Sequence, residues 1–244
     1  MKLTPPRDIF ASQAFDRRSL VAALPAERKR QRSAPGRSRP NRRLGEHVIL
    51  FGASNPSGTD PLALGEECAE VERELQLTTH RERFRLESRW ALTVDEFMRH
   101  LTRMNPSVCH FSGHGCRGAG VMFQDEQRRP HPVPGRALAM MIAAASPSVR
   151  VVVLNACYTT ELAEALCGTV DCVVGMNGAI ADDAARSFAI RYYSAIGNGR
   201  SIANAVAQGV AVLAAKQVPG EVLPRCVTRD GIDADEIVLV DAGR

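Results

Sequence analysis

The chain has 244 residues, of which 45% are hydrophobic and 24% charged, a composition typical of a globular protein and long enough for one large α/β domain. No apolar run approaches the ~18 residues that span a bilayer, and the N-terminus lacks the apolar core of a secretory signal. The seven cysteines are an odd number at irregular spacing, which favours reduced thiols in the cytoplasm over a disulfide framework.

The net charge of +4 is divided unevenly along the chain. Residues 1–43 hold 12 Lys or Arg and 3 Asp or Glu, whereas the remainder holds 19 and 24. We therefore expect residues 1–45 to form a flexible basic leader with one short helix over residues 9–25, followed by a folded domain over residues 46–244. A basic leader can contact nucleic acid, an anionic membrane or an acidic partner, and it can equally be a solvated linker.

From residue 46 onward, short apolar runs alternate with segments of helical periodicity. Thr93 is a predicted N-cap, and Asn105 with Pro106 ends the helix that follows. Val121 to Phe123 predicts a small hairpin. The predicted strands are 47–53, 83–90, 107–112, 151–156, 170–175 and 236–240, and the predicted helices are 62–77, 93–104, 133–145, 159–166, 182–196 and 201–216.

This alternation predicts an α/β fold, a three-layer sandwich with a mostly parallel central sheet and helices on both faces. Ligands of such sheets bind beyond the carboxyl ends of the strands. Two β-branched runs end there in reactive residues, VCHFSGHGC (108–116) and VVVLNACYT (151–159). We expect them to bring His114 and Cys157 to the same edge.

A histidine beside a cysteine is the arrangement of an activated thiol nucleophile. His114 can accept the thiol proton, and the positive end of a helix starting near Thr159 or Thr160 would favour the thiolate. The backbone N–H groups of Gly115 and Cys157 are candidate donors to an oxyanion. The alternative is that Cys157 is a small core residue, as free cysteines commonly are.

Other ligand classes have weaker support in the sequence. Cys109, His110, His114 and Cys116 form a cluster, but neighbouring strand residues point to opposite faces, so we predict no metal site. The loop at residues 52–58 lacks the glycine patterns that bind phosphates. A cysteine–histidine mechanism requires no cofactor.

The motifs SGHG (112–115) and LNAC (154–157) resemble those of the CHAT family of caspase-like cysteine peptidases, relatives of separase, caspases and metacaspases. The resemblance extends over about residues 46–240, because ILFGASNPSGTDPLALGEECAEVEREL, VVGMNGAIADDAARSFAIRYYSAIGNGRSIANAVAQG and RDGIDADEIVLV are also similar to family segments. It implies a caspase-like fold, with His114 as base, Cys157 as nucleophile and Gly115 as oxyanion donor.

Related peptidases hold a basic substrate side chain with an acidic residue, and metacaspases place an Asp two residues before the nucleophile. This chain has Asn155 there. Asp182 and Asp183 can line such a pocket, but they equally suit the first turn of a helix. Asp125 is a further candidate, although an Asp in a hairpin commonly serves the turn. A preference for Arg or Lys is therefore a hypothesis.

We interpret the chain as a cysteine endopeptidase that cleaves a protein substrate. Bacterial proteins resembling this family often act in defence or programmed death, so we expect gating by a protein activator or sensor, with the basic leader and the loop 116–133 as candidate elements. The alternative is a non-catalytic interaction module recruited to nucleic acid or a protein through its leader. A nucleotide or flavin binder is a third reading.

Overall fold

A computed structural model of the chain describes residues 46–240. The predicted basic leader, with its helix over residues 9–25, lies outside the described residues, so the division at residue 45 stays a prediction. Within residues 46–240, no helix combines the length and the apolar character needed to cross a membrane.

Nine strands and six α-helices make up the described part of the chain. The strands are β1 (His47–Ser54), β2 (Phe84–Arg89), β3 (Val108–Gly113), β4 (Gly115–Cys116), β5 (Gly120–Gln124), β6 (Pro130–Val133), β7 (Val151–Asn155), β8 (Cys172–Met176) and β9 (Pro224–Thr228). The helices are α1 (Leu64–Leu77), α2 (Val94–Met104), α3 (Gly135–Ala145), α4 (Ala163–Cys167), α5 (Asp182–Gly197) and α6 (Ile202–Ala215).

The central sheet has the strand order β2–β1–β3–β7–β8–β9, and its first five strands are parallel. Strands β3, β7 and β8 are buried along their whole length, which explains their continuous apolar runs, because helices cover both faces of such a sheet. Strand β2 lies at one edge of this sheet, and its partly exposed, charged residues are typical of an edge.

Alternate side chains of β1 enter separate cores on the two faces of the sheet. Ile49 of β1 packs with α1, α5 and α6, whereas its neighbour Leu50 packs with α2, α3 and α4. This alternation follows from the two-residue period of a strand. It confirms the predicted three-layer sandwich.

Local signals set the bounds of α2. The Thr93 hydroxyl accepts from the Glu96 N–H, while the Glu96 carboxylate accepts from the Thr93 N–H, a complete capping box. Asn105 ends the helix in the left-handed region, at φ 48°. Both predicted boundaries are confirmed.

The long connection after β3 contains more structure than a loop. Strands β4, β5 and β6 form a small antiparallel sheet, which includes the predicted hairpin at Val121 to Phe123. At its far end, the Arg128 carbonyl accepts from the Ser57 N–H at 2.7 Å. The small sheet therefore contacts the loop that follows β1.

One predicted strand is wrong. Residues 236–240 form no strand, and the sixth strand of the sheet is β9, antiparallel to β8. Ile237, Leu239 and Val240 are nevertheless buried in the core beside α5 and α6. Their apolar pattern therefore reflects burial rather than strand pairing, because the edge of β8 is already paired with β9.

Candidate active site

The side chain of His114 lies just beyond the carboxyl end of β3. Its Nε2 atom is 2.9 Å from the backbone carbonyl oxygen of Asp60 and 3.0 Å from Oδ1 of Asn55. A carbonyl oxygen only accepts, so these partners assign the proton of a neutral imidazole to Nε2. Nδ1 is then left with a lone pair, which is the form of the ring that accepts a proton.

Cys157 occupies the equivalent place beyond β7. It is half-buried, and its Sγ lies 3.8 Å from the carbonyl oxygen of Ile180. The chain turns sharply at the next residue, Tyr158, with φ 57°. The turn holds the thiol at the end of the strand rather than within the sheet.

His114 and Cys157 line the same pocket, which encloses about 50 Å³. The structure thus brings together the two residues that the sequence predicted at one sheet edge. The other lining residues are Leu62, Leu64, Glu67, Ser112, Gly113, Asn155, Ala156, Ile180, Asp182 and Ala185.

Gly115 packs directly against the backbone of Cys157. A Cβ atom at residue 115 would lie 2.0 Å from the Cys157 carbonyl oxygen, so only glycine permits this approach. The His114 carbonyl accepts from the Met122 N–H. Because hydrogen-bonded and non-hydrogen-bonded pairs alternate along an antiparallel ladder, the N–H of the next residue, Gly115, points out of the β4–β5 ladder.

The helix predicted at residues 159–166 forms only in part. Thr159–Leu162 is a 3₁₀ turn, and α4 has only five residues. The Thr159 hydroxyl lies 2.9 Å and 2.8 Å from the carbonyl oxygens of Leu154 and Ala156, and local bonds of this kind compete with a helical start. A large helix dipole at the sulfur is therefore not available to the site.

The four candidate specificity residues do not all reach the pocket. Asn155 and Asp182 line it, and the Asp182 carboxylate also accepts from the Ala63 N–H at 3.2 Å. Asp183 is exposed in the first turn of α5. Asp125 lies in a turn of the small sheet, where hydrogen bonds from Arg129 lower the pKa of its carboxyl.

The Asn155 amide is oriented by two acceptors. Its Nδ2 donates to Oε1 of Glu67 at 2.8 Å and to the carbonyl oxygen of Ala185 at 3.3 Å. This arrangement leaves Oδ1 buried, without a hydrogen-bond partner in the described part of the chain. Such an atom can accept from a donor that enters the pocket.

The cysteine and histidine residues of β3 are separated as the strand period predicts. Cys109 packs in the core beside α2, where burial raises the pKa of its thiol far above the usual range. His110 faces the opposite side and bonds to Glu67. Cys116 is exposed. No group of three His, Cys, Asp or Glu within residues 46–240 is arranged to hold a metal ion.

Sequence reasoning missed three contributors to this site, Asn55, Asp60 and Glu67. Asn55 lies in the loop at residues 52–58, whose glycine and serine content suggested only phosphate binding, and Asp60 follows that loop. Asp60 contributes through its backbone, so its side-chain type carries no signal. Glu67 is one of several acids in α1, and its burial at 3% exposure distinguishes it only in the folded chain.

A parallel sheet between helix layers, with a histidine and a cysteine beyond neighbouring strands, defines the caspase-like class of α/β folds. A secreted C11 cysteine protease from Bacteroides thetaiotaomicron, solved with an irreversible peptide inhibitor, has a TM-score of 0.52 and 14% identity over 71% of this chain and 60% of its own. Caspase-1 from Spodoptera frugiperda has a TM-score of 0.50 and 10% identity, covering 84% and 94% of the two chains.

The chain belongs to the CHAT domain family, whose model matches residues 8–219. Among curated proteins it is 24% identical over 153 residues to a probable protease from Gillisia limnaea, covering 62% of this chain and 27% of that protein. It is 23% identical over 180 residues to a Roc-COR-CHAT protease from an unknown prokaryotic organism, covering 71% and 17%. The chain thus matches only about a quarter or less of the length of these relatives.

Proposed function

We propose that this chain is a cysteine endopeptidase that cleaves a protein substrate with Cys157 as nucleophile and His114 as base. The observation that carries the proposal is the pairing of a half-buried thiol with an imidazole in one pocket, where the imidazole proton is committed to Nε2 by Asn55 and Asp60. Membership of a family whose curated relatives are named proteases supports it.

In this mechanism, the Cys157 thiol gives its proton to His114, and the thiolate attacks the scissile carbonyl carbon. The N–H groups of Gly115 and Cys157 stabilise the tetrahedral oxyanion. His114 then protonates the leaving amine, and an acyl-enzyme remains on the sulfur. Water, deprotonated by His114, hydrolyses that thioester and restores the thiol.

The substrate side chain that enters the pocket would be basic. Two acceptors support this, namely the Asp182 carboxylate and the unpartnered Oδ1 of Asn155. Asp183 and Asp125 lie elsewhere and take no part in this proposal. A peptide library should show enrichment of Lys or Arg on the acyl side of the cut, and a profile of uncharged residues would contradict it.

Activity would be gated. The pocket holds about 50 Å³, a small volume for a Lys or Arg side chain, and this supports a closed resting state. We assign the opening to a protein activator or sensor, in a bacterial defence or programmed-death system, with the basic residues 1–43 as a contact for that partner or for nucleic acid. High constitutive activity of the purified chain would argue against gating.

The protein would act in the cytoplasm. All seven cysteines are free thiols, and this supports a reducing compartment.

The test compares Cys157→Ala and His114→Ala with the wild type. Each should abolish cleavage while circular dichroism stays unchanged, and loss of the base alone should cost at least about 100-fold. Cys116→Ala, which removes an exposed thiol nearby, is the matched control and should cleave normally. Capture of Cys157 by an active-site electrophile, competed by substrate, separates a peptidase from a non-catalytic interaction module. Full activity in either dyad variant would refute the mechanism.

A further inference from the structure

A buried carboxylate lies beneath the pocket and is not used in the chemistry above. Glu67, in the first turn of α1, is 3% exposed. Its Oε2 accepts from the Ser112 hydroxyl at 2.6 Å, and its Oε1 accepts from Asn155 Nδ2 at 2.8 Å and lies 2.9 Å from His110 Nε2. Three donors on one buried carboxylate offset the large cost of burying its charge.

Two of these donors occupy matching positions on neighbouring strands. Ser112 of β3 and Asn155 of β7 are Cα partners, and theirs is the last pair in the register of the two strands. His114 follows Ser112 by two residues, and Cys157 follows Asn155 by two. Glu67 therefore links the strands at the pair closest to the dyad, where the ladder hydrogen bonds end.

The third donor anchors the carboxylate on its far side. His110 Nδ1 lies 3.1 Å from the Tyr193 hydroxyl, and the ring stacks on Phe51 with centroids 4.7 Å apart. Because a carboxylate only accepts, His110 donates to Glu67 through Nε2, and its Nδ1 accepts from the Tyr193 hydroxyl. The network therefore runs from α5 to α1.

We propose that Glu67 is a positioning residue, which sets the spacing between His114 and Cys157 by holding Ser112 and Asn155 together. This inference rests on the proposed function. It differs from a purely structural role in one respect. Loss of the Ser112 or Asn155 hydrogen bond should change the reactivity of Cys157, whereas loss of the Tyr193 hydrogen bond should change only the stability of the fold.

The experiment measures alkylation of Cys157 by iodoacetamide at pH 7, with the exposed Cys116 as an internal reference, by mass spectrometry of the two peptides. Ser112→Ala and Asn155→Leu remove one donor to Glu67 each. Tyr193→Phe, which removes the hydroxyl that bonds to His110, is the control. We expect the first two to slow Cys157 alkylation about tenfold and Tyr193→Phe less than about twofold. A small electrophile does not fill the specificity pocket, so the Asn155 variant reports the dyad rather than substrate binding.

Cleavage kinetics and a conservative variant complete the test. Ser112→Ala should lower kcat with KM nearly unchanged, since its hydroxyl bonds to Glu67 and is not one of the proposed acceptors of the substrate side chain. Glu67→Gln, whose amide oxygen still accepts from His110 and Asn155, should retain more activity than Glu67→Ala.

Three outcomes decide the matter. The proposal is supported if Cys157 is alkylated more slowly in the folded Ser112 and Asn155 variants, but not in the Tyr193 variant, than in the wild type. Equal rates in all three variants and the wild type overturn it and leave the peptidase intact. A wild type in which Cys157 reacts no faster than Cys116, together with a Cys157→Ala variant that cleaves as fast as the wild type, overturns the proposed function and this inference together.

Discussion

Asn55 and His114 meet across 59 residues of sequence, with Oδ1 of the first 3.0 Å from Nε2 of the second. Their contact follows from the sheet register, because Ser54 of β1 and Gly113 of β3 are Cα partners and each is followed by one of the two residues. A Cβ atom at Gly113 would lie 2.5 Å from the Ser54 carbonyl oxygen. The close approach of the two strands therefore places an amide acceptor on the imidazole.

Asn55→Ala should lower kcat by about tenfold to a hundredfold, because the imidazole keeps its Asp60 acceptor but loses the second one that fixes its orientation. Steady-state kinetics check this. Thr59→Val is the control: it removes a hydroxyl that donates to Asn55 at 3.1 Å and keeps both acceptors of His114 Nε2. Equal activity of Asn55→Ala and the wild type would exclude an orienting role.

Gly115→Ala should abolish activity and lower the free energy of unfolding by about 1–3 kcal/mol, because the new methyl group forces the Cys157 backbone away. Denaturant unfolding and cleavage assays measure the two effects. Gly65→Ala has no atom within 4 Å of the added Cβ and lies in α1. It should be neutral or stabilising by about 0.5–1 kcal/mol. Similar behaviour of the two variants would contradict close packing at Gly115.

Thr159→Val should destabilise the turn that presents Cys157. The Thr159 hydroxyl accepts from the buried Met176 N–H at 3.0 Å, and the loss of this acceptor should cost about 1–3 kcal/mol. Thr160→Val, which loses one longer bond to the Gly175 carbonyl at 3.3 Å, should cost less. Chemical denaturation ranks the variants, and the reverse order would show that Thr159 does not hold the turn.

Cys68 should make the protein less stable at alkaline pH. Burial, and then the charge of Glu72, raises the pKa of its thiol from 9.0 to about 11. The unfolded chain ionises at its ordinary value, so this contribution to stability is complete below pH 9 and is lost progressively as the pH rises toward 11. Denaturant titrations from pH 8 to 11 should show a shallower decline for Cys68→Ala than for the wild type. Parallel curves would rule out this linkage.

Much of the fold follows from local sequence patterns, which depend little on the rest of the chain. The buried strands β3, β7 and β8 are β-branched runs bounded by polar or turn residues, and the cap at Thr93 is encoded within four residues. The prediction of a final strand at 236–240 was wrong because this apolar run is buried without pairing, and the edge of β8 pairs with β9 instead. The turn at Thr159 differed from the expected helix because its hydroxyl bonds to the preceding backbone.

The sequence by itself determined the alternating layers and the two strand ends that carry His114 and Cys157, since periodicity and strand termination are properties of neighbouring residues. Only the tertiary structure decided that Asn55 and Asp60 orient the imidazole, that Glu67 lies beneath both strand ends, and that Asp125 lies away from the pocket. These contacts join residues dozens of positions apart. They arise from strand order and register, which the whole chain sets when it buries two cores on opposite faces of one sheet.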